Sequence, residues 1–349
     1  MSEIDLNKEL KVGVIAGDRS GPFLHDFGVP IPFMERNTGL RFTSFETLHP
    51  KALSNFDIIH FQRQYSPESL MILRSLKEDG MVTVALVDDN VWQLPKSNPA
   101  SSTYQGATLE RFQQIIVEAH AVTTSTPYLK ELISKFNPNC YVLRNLVDPT
   151  IENFRTTDRD DPNEIRIGWS TTVHHTDDAN IAMPALVEIC QKYPQVKLVF
   201  MGWLPPYIKD KLKRDRYEYY EFVPVDAFYA CLGSLDFDIG IAPLEDNAFN
   251  KGKSGRKIQE YSILRVPAVV SPSAPYEDWK HNETCLKPEG NKHYNWIKEL
   301  TRMIENKSLR DRLSEAAHEQ VLRDHDICLW VLERASVYYQ IYNSVKEGE

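Results

Sequence analysis

Short apolar runs separated by longer helical patterns occur along this chain in two successive series, and that rhythm constrains the fold more than any other feature. A strand of a parallel sheet is covered on both faces, so it reads as a near-continuous run of Val, Ile, Leu and Ala rather than as an alternation. Residues 12–16, 56–61, 81–87, 121–124 and 141–143 read this way, with helical patterns over 68–77 and 109–118 between them. The rhythm returns at 165–169, 196–201, 217–222, 239–242 and 268–270. Each half is a βαβ series. Between them residues 152–164, E-N-F-R-T-T-D-R-D-D-P-N-E, are polar, charged and aperiodic, as a linker reads. A chain of 349 residues also exceeds what one hydrophobic core usually serves. The expectation is an α/β protein of two doubly wound domains, 1–151 and 165–326. From Tyr294 the pattern is helical to the end, and the last helix, from about 327, carries Trp330, Tyr338, Tyr339 and Tyr342. So aromatic a helix must pack on something.

A net charge of −9 argues against a broad nucleic-acid surface, which needs a basic face, although a local basic strip is compatible with it. The five cysteines are scattered and never in C-x-x-C spacing, so neither a disulfide framework nor a zinc site is indicated. A reducing cytoplasm fits. The N-terminus, M-S-E-I-D-L-N-K-E-L, has no basic segment followed by an apolar one, and no run of eighteen apolar residues occurs. These readings point to a soluble protein and leave room for a peripheral membrane contact.

The stretch 243–271 concentrates the chemistry. It sets Lys251, Lys253, Arg256 and Lys257 at the start of a helix expected from about Gly255 to Leu264. Helix starts carry unsatisfied N–H donors and the positive end of the dipole, so four cations there conflict unless an anion joins them. A phosphate or diphosphate would remove the conflict. Lys253, Lys257 and Glu260 recur at i, i+4 and i+7, which predicts one shared helical face. By contrast Gly13, Gly17 and Gly21 do not spell G-x-G-x-x-G, so a dinucleotide fold is poorly supported. The 17–32 loop after the first strand is expected to enter a cleft shared by the carboxyl ends of the two sheets.

The pattern D-x-x-F-N-x-x-K-S-x-x-K-x-x-E-Y, carried by Asp246, Phe249, Asn250, Lys253, Ser254, Lys257, Glu260 and Tyr261, resembles the signature of a branch of the family 4 glycosyltransferases of GT-B fold. V-T-V-A-L-V-D-D-N-V-W-Q-L-P at 82–95 is similar to the aspartate-bearing strand end of their N-terminal domain. A-V-T-T-S-T-P-Y-L at 121–129 and V-L-R-N-L-V-D at 142–148 resemble its last segment, and the loop around Gly21 resembles the acceptor-side loop. The resemblance touches most of the chain in order. It implies two Rossmann-like domains, an acceptor side over 1–151, a nucleotide-sugar side over 165–326, and a C-terminal helix over 327–349 that crosses back onto the first domain.

The resemblance further implies a retaining transferase that moves a sugar from a nucleoside diphosphate sugar to an acceptor hydroxyl, on a glycan, lipid carrier or other molecule. Glu260 matches the second of two glutamates that mark the family's donor site and bind the ribose. The first has no match, because Gly252 and Lys253 stand where it belongs. Donor contacts are expected from Gly21, Ser170, His174, Pro224, Asp246, Phe249, Asn250, Ser254 and Glu260. Loss of the diphosphate leaves negative charge that fixed cations stabilise, and Lys253 and Lys257 are the expected catalytic groups. No metal or other cofactor is expected, since the paired carboxylates Asp88 and Asp89 lie in the other half of the chain. Asp88 and Asp89 either contact the acceptor hydroxyl or form an Asx turn. Arg63 and Asn145 are further cleft candidates, Arg63 as an anion contact or a surface ion pair. His174 and His175, with Asp177 and Asp178, belong either to a donor contact or to an ordinary polar loop with an N-cap, zinc lacking a third spaced ligand, while His60 reads as a core histidine rather than a catalytic one. The alternatives are a transferase of modified DNA bases and a catalytically silent sugar-nucleotide-binding protein.

Overall fold

The computed structural model describes residues 4–17, 19–46, 50–157, 159 and 161–348. Asp18, within the 17–32 loop, and Asp158 and Asp160, within the 152–164 segment, lie outside the described residues. The chain forms two compact units. One comprises residues up to Leu94, Ser101–Leu146 and the C-terminal segment from Ile327; the other comprises Pro95–Ala100 and Val147–Asp326.

The first unit runs β1 (Leu10–Ala16), α1 (Gly21–Phe23), a π-helical turn (Leu24–Gly28), α2 (Pro30–Asn37), β2 (Leu40–Phe45), α3 (Pro50–Leu53), β3 (Ile58–Gln62), α4 (Pro67–Glu78), β4 (Val82–Val87), α5 (Gly106–Glu118), β5 (Ala121–Thr124), α6 (Pro127–Ile133) and β6 (Cys140–Val142). Helix starts are encoded locally. Ser66 caps α4 by accepting from the Ser69 N–H, Thr126 caps α6 through the Leu129 N–H, and a proline follows each cap, where its missing N–H costs nothing. The parallel sheet has the order β2-β1-β3-β4-β5-β6. Two features depart from the sequence reading. The sequence carries no strand signal for β2, because as an edge strand it alternates a buried Leu40 with an exposed Arg41 and lacks the continuous apolar run. The expected 17–32 loop is helical from Gly21, where Pro22 and Pro30 occupy first-turn positions and Phe27 is fully buried.

The second unit runs β7 (Ile165–Ser170), α7 (Thr176–Lys192), β8 (Val196–Met201), α8 (Pro206–Lys211), β9 (Tyr217–Tyr220), α9 (Phe228–Ser234), β10 (Ile239–Ala242), α10 (Ala248–Lys251), α11 (Arg256–Ile263), β11 (Ala268–Val270), α12 (His293–Glu305) and α13 (Lys307–His325). Its parallel sheet has the order β11-β10-β7-β8-β9. Its core packs Trp169, Phe200, Trp296 and Leu300 between sheet and helices. Near the strand starts lies an ionic cluster. Arg166 pairs with Glu164 at 2.9 Å and Glu218 at 2.7 Å, and Lys197 reaches the same two carboxylates at 3.0 and 3.3 Å. The polar stretch 152–164 serves this unit: Arg155 donates to the Leu264 carbonyl at 2.8 Å, and Arg159 pairs with Asp238 at 2.7 Å.

The chain ends in α14 (Ile327–Lys346), which belongs to the first unit and buries Ala335, Tyr338, Tyr339 and Ile341 in the core cluster that holds Val12, Val14, Ile58 and Val84. Tyr339 Oη donates to the carbonyls of Leu6 and Lys8, and buried Arg334 donates to those of Arg144 and Asp26. Among the described residues no helix is long and apolar enough to cross a membrane.

His60, on β3, is sealed beneath α14. It bonds Thr123 Oγ1 at 2.9 Å and packs edge-on against Phe27 and Tyr338. Burial, aided by the Arg334 charge, pushes its pKa down to about 3. An unfolded chain protonates this imidazole near its ordinary 6.5, whereas the folded chain holds it neutral, so the unfolded state binds more protons between those values. Stability is therefore full above 6.5 and falls as pH falls toward 3, by about 1.4 kcal/mol per unit. Urea unfolding at pH 7.5 and 5.5 is expected to show that loss in the wild type, and a visibly flatter dependence in His60→Gln.

Candidate active site

Ligands of open parallel sheets bind beyond the carboxyl ends of the strands, at the point where the strand order reverses. In the second unit that point lies between β7, which continues to β8 on one side, and β10 on the other. The segments leaving those two strand ends contain the residues 170–178 and 243–257.

After β10, Asn247 caps α10, its Oδ1 accepting from the Asn250 N–H at 2.8 Å. The chain then breaks over 252–255 and restarts as α11, with Gly255 at the cap. A Cβ at Gly255 would lie 2.5 Å from the Pro275 carbonyl oxygen, so the restart needs glycine. This break corrects the expected single face. Lys253 precedes α11 and its ammonium lies 4.6 Å from the centre of the Phe249 ring, while only Lys257 and Glu260 share helical spacing. The expected charge conflict is also softened from within. Lys257 Nζ donates to Glu260 Oε2 at 2.7 Å, Arg256 Nε lies 3.8 Å from Glu260 Oε1, and Lys251 lies 3.6 Å from the exposed Asp246. Glu260 is 2% exposed, so its carboxylate is already engaged where the resemblance implied ribose binding.

After β7 the arrangement centres on Asp178, for which the sequence allows either a donor contact or an ordinary polar loop. Asp178, buried in the first turn of α7, accepts from His175 Nδ1 at 2.7 Å through Oδ2. Through Oδ1 it accepts from the Glu245 N–H at 2.7 Å and from Asn250 Nδ2 at 2.9 Å. One carboxylate thus ties the β7 exit to the β10 exit. Desolvation pushes the His175 pKa down; Asp178 opposes this, and the charges of Lys253 and Lys257 reinforce it. His174 turns elsewhere, its Nδ1 donating to Asn98 Oδ1 at 3.0 Å, and Ser97 donates to Asp177. The only sequence signal for the hub was the H-H-T-D-D run itself; the partners come from 67 and 72 residues away.

The remaining donor candidates disperse. Ser170 is buried at the end of β7, Ser254 is half-buried in the break before α11, and Phe249 is buried beneath Lys253. Pro224 is exposed beyond edge strand β9, at the start of a 3-10 turn.

In the first unit the order reverses between β1 and β3. Arg63, just past β3 with a left-handed φ of 51°, forks onto Asp88 at 2.9 and 2.7 Å and reaches Asp89 at 3.2 Å. Arg63 and the aspartate pair thus form one ion cluster at neighbouring strand ends. Gly21 opens α1 beyond β1, and Asn145 is buried beyond β6. Among the described residues no three His, Cys, Asp or Glu side chains gather closely enough to hold a metal ion.

No family model matches the chain, and no curated protein sequence matches it. Solved structures match it in fold. Anabaena HepE in complex with UDP-glucose aligns with a TM-score of 0.70 at 11% identity, over 95% of this chain and 100% of that one. Sucrose-phosphate synthase from Thermosynechococcus elongatus gives 0.68 at 12% identity, over 96% and 100%. A glycosyltransferase from Rickettsia africae gives 0.67 at 13% identity, over 96% and 99%. With its two Rossmann-like units, the chain has the GT-B fold.

The Lys257–Glu260 pair makes a stability statement independent of ligand. Glu260→Gln leaves a largely buried ammonium without its carboxylate and is expected to lower stability by about 1–3 kcal/mol. Adding Lys257→Met to that variant should recover part of the loss, because removing both partners costs less than removing one. Urea unfolding of the two single variants and the double variant measures it.

Proposed function

We propose that this protein is a nucleotide-sugar-dependent glycosyltransferase, with the donor diphosphate held at the exits of β7 and β10. The observation that carries the reading is the break before α11, which sets Lys253, Lys257 and the first N–H groups of the helix beside the strand-order reversal. The GT-B fold and neighbours solved with UDP-glucose support it. As the anomeric bond breaks, charge develops on the leaving diphosphate, and Lys253, Lys257 and the helix N-terminus stabilise it where it forms. Binding exchanges part of the Lys257–Glu260 pair for a phosphate contact, and Glu260 then turns to the ribose hydroxyls. Asp246, Asn250, Ser254 and Ser170 complete the donor side. Asp88 and Asp89, positioned by Arg63, belong to the acceptor side.

The transfer retains anomeric configuration and needs no metal: the acceptor attacks on the face the diphosphate leaves, and a diphosphate oxygen takes its proton. Retention rests on the resemblance to family 4, as does a role in glycan or polysaccharide synthesis; metal independence rests on the lysines and helix N-terminus already facing the diphosphate, and a cytoplasmic setting on the scattered cysteines. A silent sugar-nucleotide-binding protein is the second reading, favoured by the engagement of Glu260 with Lys257 and Arg256.

A thermal-shift screen of UDP-, GDP-, dTDP- and ADP-sugars is expected to find one that stabilises the chain, by about 2.7 kcal/mol at a hundred times its dissociation constant. With that donor, Lys253→Ala and Lys257→Ala should each lower kcat/KM by about a hundredfold. Unchanged values would put the diphosphate elsewhere. Turnover should survive excess EDTA, and NMR of the first-formed product should show the donor's configuration. Donor binding without transfer or hydrolysis would favour the silent reading.

A further inference from the structure

His175 and Asp178 form a unit that the donor contacts above do not use. Asp178 fixes the imidazole by accepting from Nδ1, and is itself fixed by the Glu245 N–H and Asn250 Nδ2. The side chain of His175 is 24% exposed and its edge packs against Trp169, while that of Asp178 is 5% exposed. Among the described residues the ring's one hydrogen bond is that at Nδ1. With Nδ1–H committed to a carboxylate, Nε2 of the neutral ring carries a lone pair and can only accept. The charged groups that face it are Asp178, Lys253 and Lys257, and the two lysines disfavour a third cation among them. What such an acceptor recognises is a hydroxyl or N–H group, not a phosphate oxygen.

Resting on the donor site proposed above, we propose that His175 Nε2 accepts a hydrogen bond from a hydroxyl of the transferred sugar, with Asp178 as the positioning residue that sets its tautomer. A sugar hydroxyl is the donor that lies next to a diphosphate held by Lys253 and Lys257. The dyad thereby supplies sugar recognition at a site where Gly252 and Lys253 offer no carboxylate.

The experiment compares affinities of the full chain for a nucleoside diphosphate and for the matching nucleotide sugar, taking the base from whichever of UDP-, GDP-, dTDP- and ADP-glucose stabilises the wild type. His175→Phe keeps a ring and removes the acceptor. It should weaken the nucleotide sugar about three- to tenfold, the range of one neutral hydrogen bond, and leave the nucleoside diphosphate unchanged. Asp178→Asn should do the same while folding normally, because its amide oxygen still serves Glu245 and Asn250. Its NH₂ now donates to Nδ1, which moves the ring proton to Nε2 and removes the lone pair. His175→Gln, with an acceptor oxygen, should recover part of the sugar affinity. Equal loss for diphosphate and sugar, or no loss for the sugar, overturns the role of His175. A wild type that binds none of these nucleotide sugars overturns the donor site and this role with it.

Discussion

Every strand pair in both sheets is parallel, and that constraint governs where chemistry can sit. A parallel strand needs a crossover to its neighbour, so each strand empties its chain at the same end of the sheet. Where successive crossovers depart to opposite sides, two exits are left without a helix between them. In the second unit these are the exits of β7 and β10, in the first those of β1 and β3. The ionic cluster of Arg166, Lys197, Glu164 and Glu218 lies near the strand starts, where it serves stability, and the lysine- and histidine-bearing segments lie at the exits. The two ends of one sheet thus carry different sets of charged residues.

Much of this was legible in the sequence because burial on both faces writes itself as a continuous apolar run. The strands at 121–124, 196–201, 239–242 and 268–270 match the observed ones residue for residue, and α11 starts and stops within a residue of expectation. Strand β2 escaped because an edge strand leaves one row of side chains to water. The helical turns from Gly21 escaped because glycine and proline read as loop when they stand at helix starts. At the candidate site the cations of 251–257 were visible as composition, but their pairing was not. The reach of Glu260 back to Lys257 is local, whereas the Asp178 contacts to Glu245 and Asn250 cross from one strand exit to another. Sequence spacing carries no trace of a contact made by the sheet order.

The electrostatics of the candidate site are arranged as an exchange. Arg256 and Lys257 rest against one buried carboxylate, Lys253 rests over an aromatic face, and burial, reinforced by the charges of Lys253 and Lys257, holds the His175 pKa below its ordinary value. In the proposed donor site such an arrangement is ordered before a ligand binds, which limits the entropy lost on binding. A diphosphate held as proposed would compete with Glu260 for Lys257.

The six residues Pro95–Ala100 lie with the second unit although the chain on either side belongs to the first, and α14 returns to the first unit after the second is complete. Asn98 bonds His174 and Ser97 bonds Asp177 within that borrowed segment. Neither unit is therefore a contiguous stretch of gene. A fragment cut at residues 147 and 326 lacks two of the hydrogen-bond partners of its own 174–177 turn. A chimera that grafts a relative's second half at one junction inherits a foreign turn opposite a native 95–100 segment. Recombination that keeps both units intact therefore needs three junctions, after residues 94, 100 and 326, beyond the one after residue 146.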